Sequence, residues 1–492
     1  MSAITSSQKL PLRLSYFLLY LAMLWVAAWL NEGWMQPDEH ARTLEPALFI
    51  LTRSAALPWE FTTAKPMVSF LLGVIHTPAL FLGELLGLSP LSEAALLRAF
   101  SATVASTQLW AMAILLRRLL SHHQRPECWV WAFALNPMVP LLLTRTSQEN
   151  WGTTAMLWGL VALVTGPGEG PAKPSRLFWG AFALSLATSF RLQLGPGLFC
   201  VMLWQFWTSK TLRSRAALTL GAITGLLPLA VVDYAMVGMP FKPAINYLLY
   251  ALGDEEGGAI WGTNPWYDYI VHYLGSWYPP LSPWLLWPII AGLIAIPQLG
   301  FAVIPFLAVH FILGHKEARY LSPMVPLTLL AMAVGWPRLK WNWVRKAFPY
   351  VAAAAGALCS VMWFFPQNFA PRFYADMARW SEREPMTYVG TTRTGPATFY
   401  TRFPPKLWPF LDTKAFVAQV EGKSPVKSGL YAIYRVDTDT LRKITQVCDL
   451  EYESSPQSWQ WVLSWMPKNA RWQRTDVMVR CGERKPQNPP PI

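Results

Sequence analysis

Apolar runs long enough to enter or cross a bilayer recur from Ser15 to Phe365, separated by short polar stretches. A chain with this repeat is expected to be an α-helical polytopic membrane protein, because each span must satisfy its own backbone hydrogen bonds in lipid. In order, the spans are expected at residues 15–30, 96–116, 129–143, 151–165, 177–190, 192–207, 216–232, 283–297, 301–313, 321–336 and 350–365. That makes about eleven crossings, several shorter than the ~20 residues of a lone span, as happens when helices bundle. The boundary at Pro297-Gln298-Leu299-Gly300 is the weakest, since no charge marks it. The run 66–88 is also apolar but carries His76, Glu84 and prolines, and it is read as a re-entrant or horizontal helix in the first outer loop. From about Ala370 the pattern turns polar and mixed, with strand-like runs at 388–390, 430–436, 447–452 and 477–481 and a helix-like stretch at 413–419. The expected organisation is a transmembrane domain over 1–369 and a small soluble α/β domain over 370–492.

Charge fixes the sides. With 66–88 not crossing, one side of the membrane holds Arg117, Arg118, Arg125, Lys173, Arg176, Lys210, Arg213, Arg215, Arg338, Lys340, Arg345 and Lys346. The other side holds Asp38, Glu39, Glu45, Glu60, Glu149, Asp233, Asp254-Glu255-Glu256, Asp268 and Glu317. Basic loops face the cytosol, so the acidic side and the C-terminal domain are expected to be extracytoplasmic. The net charge of +13 is accounted for by loop orientation and anionic lipid, and gives no reason to expect nucleic acid. No small-residue cleavage site follows the first apolar run, which continues into Asn31-Glu32-Gly33-Trp34 and is expected to be retained.

The cysteines have no metal-ligand spacing; Cys128, Cys200 and Cys359 are read as buried thiols, and Cys448 with Cys481 as either a disulfide or two thiols. No Asn-x-Ser/Thr sequon occurs, which favours a bacterial inner membrane over the endoplasmic reticulum. Gly166-Pro167-Gly168-Glu169-Gly170-Pro171 follows a span rather than a strand and reads as a linker, not a phosphate loop. Asp437-Thr438-Asp439 has the spacing of a metal-binding DxD, but Asp before Leu441-Arg442-Lys443 is more simply a helix cap.

Chemistry gathers at the span ends of the acidic side. Trp34-Met35-Gln36-Pro37-Asp38-Glu39-His40-Ala41-Arg42-Thr43-Leu44-Glu45-Pro46 follows the first span directly, placing adjacent carboxylates at a membrane surface. Arg145 lies in Thr144-Arg145-Thr146, and Arg191 is squeezed between two apolar runs with no loop to solvate it. His315-Lys316-Glu317-Ala318-Arg319-Tyr320 sits between two spans. Carboxylates and cations on one face suit a reaction that needs a base and holds a phosphate. The loop 233–282 is aromatic, and Trp261-Gly262-Thr263-Asn264-Pro265-Trp266-Tyr267-Asp268 suits a sugar ring stacked on Trp261 and Trp266 with Asn264 on its hydroxyls.

Gln36-Pro37-Asp38-Glu39 followed by Leu44-Glu45-Pro46-Ala47 resembles the first-loop signature of the α-mannosyltransferases that use dolichyl-phosphate-mannose in GPI-anchor and N-glycan assembly. Trp261-Gly262-Thr263-Asn264-Pro265-Trp266-Tyr267 is similar to that family's Tyr-Gly-Thr-His-Pro-Trp-His segment, and Thr144-Arg145-Thr146 and His315-Lys316-Glu317-Ala318-Arg319-Tyr320 match in kind and order. Gln36 stands where the family has His, Asn264 where it has His, and Arg191-Leu192-Gln193 where it has Arg-Pro-Thr. These changes leave the expected base in place.

The resemblance implies a GT-C fold and an inverting transfer of mannose from a polyprenyl-phosphate donor to a hydroxyl of a lipid-linked or glycolipid acceptor. Asp38 would be the general base and Glu39 its partner. Lys316, Arg319, Arg191 and His315 would hold the donor phosphate, and Arg145, Trp261, Asn264, Trp266, Glu45 and His76 would contact substrate. Membrane lipids are expected partners; neither nucleotide sugar nor cofactor is required, and no metal ligand set is evident, although carboxylates beside a phosphate are compatible with a divalent cation. The alternatives are another GT-C transferase using an amino-sugar or pentose on undecaprenyl phosphate, and a lipid or sugar-lipid flippase, for which internal repeats and interrupted mid-membrane helices are expected.

Overall fold

The computed structural model describes residues 12–34, 37–53, 57–61, 65–120, 125–136, 138–166, 169–252, 263–276, 278, 281–364, 370–390, 398–402, 409–422, 425–454 and 475–482. The chain divides into two compact units. One comprises Met1–Trp29, Trp59–Ile75 and Leu97–Phe364, and the other Leu30–Pro58, His76–Leu96 and Phe365–Ile492. The second unit thus joins the C-terminal part with two segments from the start of the chain. The polar contacts described below are the reason.

The first unit is helical. The apolar patterning yields Leu14–Leu30, Pro90–Leu119, Gln148–Leu163, Pro174–Phe190, Gly195–Thr208, Leu212–Val237, Ser282–Ala295, Pro297–Ile312, Met324–Gly335 and Asn342–Phe364, close to the expected runs. Pro90–Leu119 and Leu212–Val237 are each long and apolar enough to cross a membrane, and Ser282–Ala295 with Pro297–Ile312, bent by 119°, meets the same test as a pair. The turn expected at 297–300 is therefore displaced. The break falls at Ile296, and Pro297 opens the next helix, where its missing N–H costs nothing. The run expected as one span over 129–143 is also broken, into Pro126–Ala134 and Val139–Leu143. The residue before proline avoids the helical region, and buried Asn136 takes up the break by donating to the Tyr278 hydroxyl (2.8 Å) and accepting from the Met138 N–H (3.0 Å). Leu71–Leu85 forms a helix with Pro78 inside it, where the sequence predicted a segment that does not cross.

Close packing uses small residues. A Cβ at Gly292 would meet the Ala331 carbonyl and one at Gly335 the Pro288 carbonyl, so Ser282–Ala295 and Met324–Gly335 touch backbone to backbone. The helix Gln148–Leu163 shows the charge asymmetry directly. Glu149 lies in its first turn, while at its other end Arg118 donates to the Val161 and Val164 carbonyls (2.6 and 2.7 Å) and Arg176 to the Ala162 carbonyl (3.0 Å). Acid at the N-terminus and arginine at the C-terminus both complement the helix dipole.

The second unit contains a five-stranded sheet: β1 (Met386–Gly390), β2 (Phe410–Asp412), β3 (Gly429–Val436), β4 (Cys448–Glu453) and β5 (Thr475–Cys481), in the order β2-β1-β3-β5-β4. β1 runs parallel to β2 and β3, while β5 is antiparallel to β3 and β4. The expected strands are present, together with β2 and the helix Ala370–Ser381, which the sequence reading did not contain. Cys448 and Cys481 stand opposite each other in β4 and β5 and form a disulfide. Cys128 is exposed and Cys200 partly so, contrary to the buried thiols expected of them. Asp437 caps the helix Thr438–Val447 by accepting from the Thr440 N–H (2.9 Å).

Candidate active site

The first-loop motif folds into the second unit. Pro37–Glu39 is helical, the chain widens into a π turn over His40–Leu44, and the α-helix Glu45–Thr52 follows. Pro46 explains the widening. Its ring would strike the carbonyl four residues back in an α-helix, and an extra residue in the turn relieves the clash. The π turn closes with the Glu45 N–H on the His40 carbonyl. Asp38 pairs with Arg42 one turn on (2.9 Å), and both are partly exposed. Glu39 and Glu45 are buried.

Around this turn the contacts come from far along the chain. His40 stacks on Trp34 (centroids 5.0 Å) and on Tyr400 (5.3 Å), and its Nε2 donates to Glu45 Oε1 at 2.9 Å. The Phe399 N–H donates to the same oxygen, also at 2.9 Å. Arg402 forms an ion pair with Glu93, and its pKa is drawn down by burial against the opposing pull of Glu84 and Glu45. Arg372 grips Glu32 through Nε and one terminal nitrogen (2.5 and 2.9 Å). His76 is fully buried in the helix Leu71–Leu85.

The cationic residues belong to the first unit. Pro174–Phe190 ends at Arg191, and a single 3₁₀ turn leads into Gly195–Thr208, so Arg191 has no loop of its own. Its guanidinium is buried and pairs with buried Glu149 at 3.2 Å, across the C-terminus of one helix and the N-terminus of another. It also lies 5.0 Å from the centre of the Tyr320 ring, to which Arg319 approaches at 5.3 Å. Glu317 organises the neighbouring turn. It accepts from His315 Nε2, a terminal nitrogen of Arg319 and the Tyr320 hydroxyl, each at 3.1 Å, and forms an ion pair with Arg319 Nε at 2.6 Å. Burial holds the phenols of Tyr269 and Tyr320 well above their usual range, so both remain hydroxyl donors.

Lys316 and Asn264 meet directly. The Asn264 N–H donates to the Gly314 carbonyl (3.0 Å), and its side-chain oxygen accepts from the Lys316 N–H (3.3 Å). The buried Lys316 ammonium reaches the carbonyls of Leu313 (2.5 Å) and Asn264 (3.4 Å), at the C-terminal end of Pro297–Ile312. This helix-capping position leaves one of the ammonium's three N–H bonds for anything else. Trp266 is largely exposed, as a sugar-stacking ring has to be, and Arg145 is fully buried. Trp261 lies outside the described residues. Among the described residues no group of His, Cys, Asp or Glu side chains is placed to hold a metal ion.

The structure therefore brings the expected residues together in two sets: Asp38, Glu39 and Glu45 in the second unit, and Arg191, His315, Lys316, Arg319 and Asn264 in the first. Sequence reasoning gave no site role to Arg42, Glu149, Glu317 or Tyr320. Arg42 was readable from its four-residue spacing to Asp38, and Glu149 from its place in the first turn of a helix. Nothing in the sequence pointed to Phe399, Tyr400 or Arg402.

Comparison with known proteins places these observations. A family model described as the Alg9-like mannosyltransferase family matches residues 14–389. GPI mannosyltransferase 4 of Eremothecium gossypii is 28% identical over 320 residues, covering 62% of this chain and 61% of that protein. Mannosyltransferase APTG1 of Arabidopsis thaliana is 23% identical over 326 residues, covering 64% and 57%. The chain thus spans about three fifths of the length of these relatives. Among solved structures, ArnT from Cupriavidus metallidurans bound to undecaprenyl phosphate superposes with a TM-score of 0.56 at 14% identity, covering 94% of this chain and 97% of that one. Arabinofuranosyltransferase AftD from mycobacteria gives 0.50 at 14% identity, covering 96% of this chain and 40% of that one. These likenesses establish the GT-C fold.

Proposed function

The chain belongs to the Alg9-like mannosyltransferase family of membrane glycosyltransferases, and from that premise we propose that it moves mannose from a polyprenyl-phosphate-mannose donor to a hydroxyl of a lipid-linked or glycolipid acceptor on the extracytoplasmic face. Asp38 takes the acceptor proton as its oxygen attacks the anomeric carbon. The bond from that carbon to the phosphate oxygen breaks on the opposite side, its electron pair leaves with the polyprenyl phosphate, and the configuration inverts. Glu39 orients the acceptor or the base. Arg319, Arg191 and His315, with the remaining N–H of Lys316, bind the phosphate, and these contacts strengthen as negative charge develops on it. Arg145, Asn264 and the Trp266 ring hold the sugars, and His76 flanks the lipid.

One observation carries the reading. Two guanidiniums, Arg191 and Arg319, converge on the Tyr320 ring, and the buried Lys316 ammonium belongs to the same short turn as Arg319. Such a cluster suits a phosphate ester. The match to ArnT, whose solved structure holds undecaprenyl phosphate, makes a polyprenyl phosphate the natural form of that ester. Among the described residues Asp38 also retains partial exposure, as a base that meets a diffusing acceptor must.

The test is incubation of purified protein in detergent with synthetic polyprenyl-phosphate-mannose and a membrane-lipid extract, with mass spectrometry following any hexose gained by a lipid. The expected result is an adduct with wild type and none with Asp38→Asn. Turnover retained by Asp38→Asn removes Asp38 from the base role. Transfer only from amino-sugar or pentose donors overturns the choice of mannose.

A further inference from the structure

We propose that Glu45 is a positioning residue, which holds the Asp38-Glu39 pair in its working direction through a clasp with His40 and the Phe399 amide. The inference rests on Asp38 being the base. Glu45 is 3% exposed, and a carboxylate so deep is costly to keep unless it is hydrogen-bonded and needed. Both of its donors arrive on one oxygen, His40 Nε2 and the Phe399 N–H, each at 2.9 Å. Among the described residues no hydrogen-bond donor reaches the second oxygen. An apolar side chain of the same size would fill this interior at less cost, so the acid is kept for something other than stability.

The geometry says for what. In an α-helix two residues five apart point about 140° away from each other, so His40 and Glu45 could not pair. The π turn brings them to one side, and they are joined twice, through backbone and through side chains. A π turn is rare and weakly stable by itself, and it recurs at functional sites. This one begins at the residue after Glu39. If the turn tightened to α, the helix before it would rotate against the helix after it, and Asp38 and Glu39 would turn with it. The clasp therefore fixes the direction of the acids. Its outer jaw comes from the distant segment Thr398–Thr401, where Tyr400 also covers the His40 ring.

The experiment uses the full chain in detergent and compares Glu45→Leu with Glu45→Gln. The amide keeps an acceptor oxygen, and Glu45→Gln is expected to retain kcat within about threefold. Glu45→Leu is expected to lose about thirtyfold in kcat, with the donor KM unchanged within about twofold, the size of effect seen when an orienting group is lost. Hydrogen exchange of the Phe399 amide and of peptides covering 37–44 should quicken in Glu45→Leu alone. If Glu45→Leu does not fold, His40→Gln, which still donates, and His40→Phe, which only stacks, replace it, with the loss expected in His40→Phe. Equal losses in both Glu45 variants with unchanged exchange, or full kcat in Glu45→Leu, overturn the proposal. A wild type inert to mannose donors while Asp38→Asn is equally inert defeats the functional reading instead. The exchange of the Phe399 amide then still decides whether the clasp exists.

Discussion

The acidic turn and the cationic turn hold their charges by different means. Around Glu317 the partners are two or three residues away in the chain, and the stretch His315–Tyr320 ties itself together. Around Glu45 the decisive donor is 354 residues distant, and the rings that flank His40 come from both ends of the chain. A self-contained turn needs only a stable scaffold beneath it. A turn closed by a remote segment is incomplete until that segment has folded, so the C-terminal part of this chain is built into the acidic loop and is not an appended module.

The largest effect that tests this contrast is at Asp38. Removing a general base costs about 10²–10⁴-fold in rate, and Asp38→Asn should fall in that range. Donor binding, measured by equilibrium retention of the labelled polyprenyl-phosphate sugar, should stay near wild type, because the cations of the first unit are untouched. Equal loss of donor binding would tie the two turns together more closely than described.

Next in size is the buried pair Glu149–Arg191, with side chains 8% and 7% exposed. Breaking it from one side strands a charge in the interior, so Glu149→Leu is expected to destabilise the protein by about 3–5 kcal/mol, read as a lower Tm in detergent. Glu149→Leu with Arg191→Met should recover most of that stability, since a buried pair seldom outperforms apolar residues of its size, yet it should bind donor more weakly. A double variant as unstable as the single one would show that Arg191 packs for other reasons.

The same contrast governs what the sequence could reveal. The helices were legible because apolar periodicity is local, and so were four of the five strands and the cap at Asp437. Proline limited the reading wherever its effect depended on context. Pro297 opened a helix where a turn was expected, and Pro46 widened one. The site residues were legible in kind, because charge at a span end is conspicuous, but their pairings were not. That Lys316 caps a helix, that Glu317 gathers three donors, and that Glu45 meets Phe399 follow from tertiary placement that no spacing encodes. That Leu30–Pro58 falls in one compact unit with Phe365–Ile492 is likewise a matter of such contacts.

A smaller effect is expected at Glu317. Glu317→Gln keeps an acceptor for His315 and Tyr320 but loses the charged, two-point grip on Arg319. The donor KM should rise about tenfold, equivalent to roughly 1.4 kcal/mol, with kcat less affected, because a looser guanidinium is ordered only as the phosphate arrives. An unchanged KM would mean that Arg319 is held by its Tyr320 contact alone.

The smallest effect separates distance along the chain from burial. Glu384 and Arg480 are 96 residues apart, a long-range pair like that of Glu45 with Phe399, but both are partly exposed and joined at 2.6 Å. Hydrogen bonding to Arg480 holds the Glu384 carboxyl below its usual pKa of 4.5. A depressed carboxylate stabilises the fold above its unfolded pKa, and that contribution is lost as pH falls below about 4.5 and through the folded value. Solvent screening keeps it small, so Glu384→Gln should lower stability near neutral pH by about 0.5 kcal/mol and flatten the acid limb of a Tm-against-pH curve. A loss approaching that of Glu149→Leu would mean that reach along the chain, rather than removal from water, decides which pairs matter. A loss within the expected range leaves burial as the variable, and it explains why the remote contact at Glu45 was built into the interior.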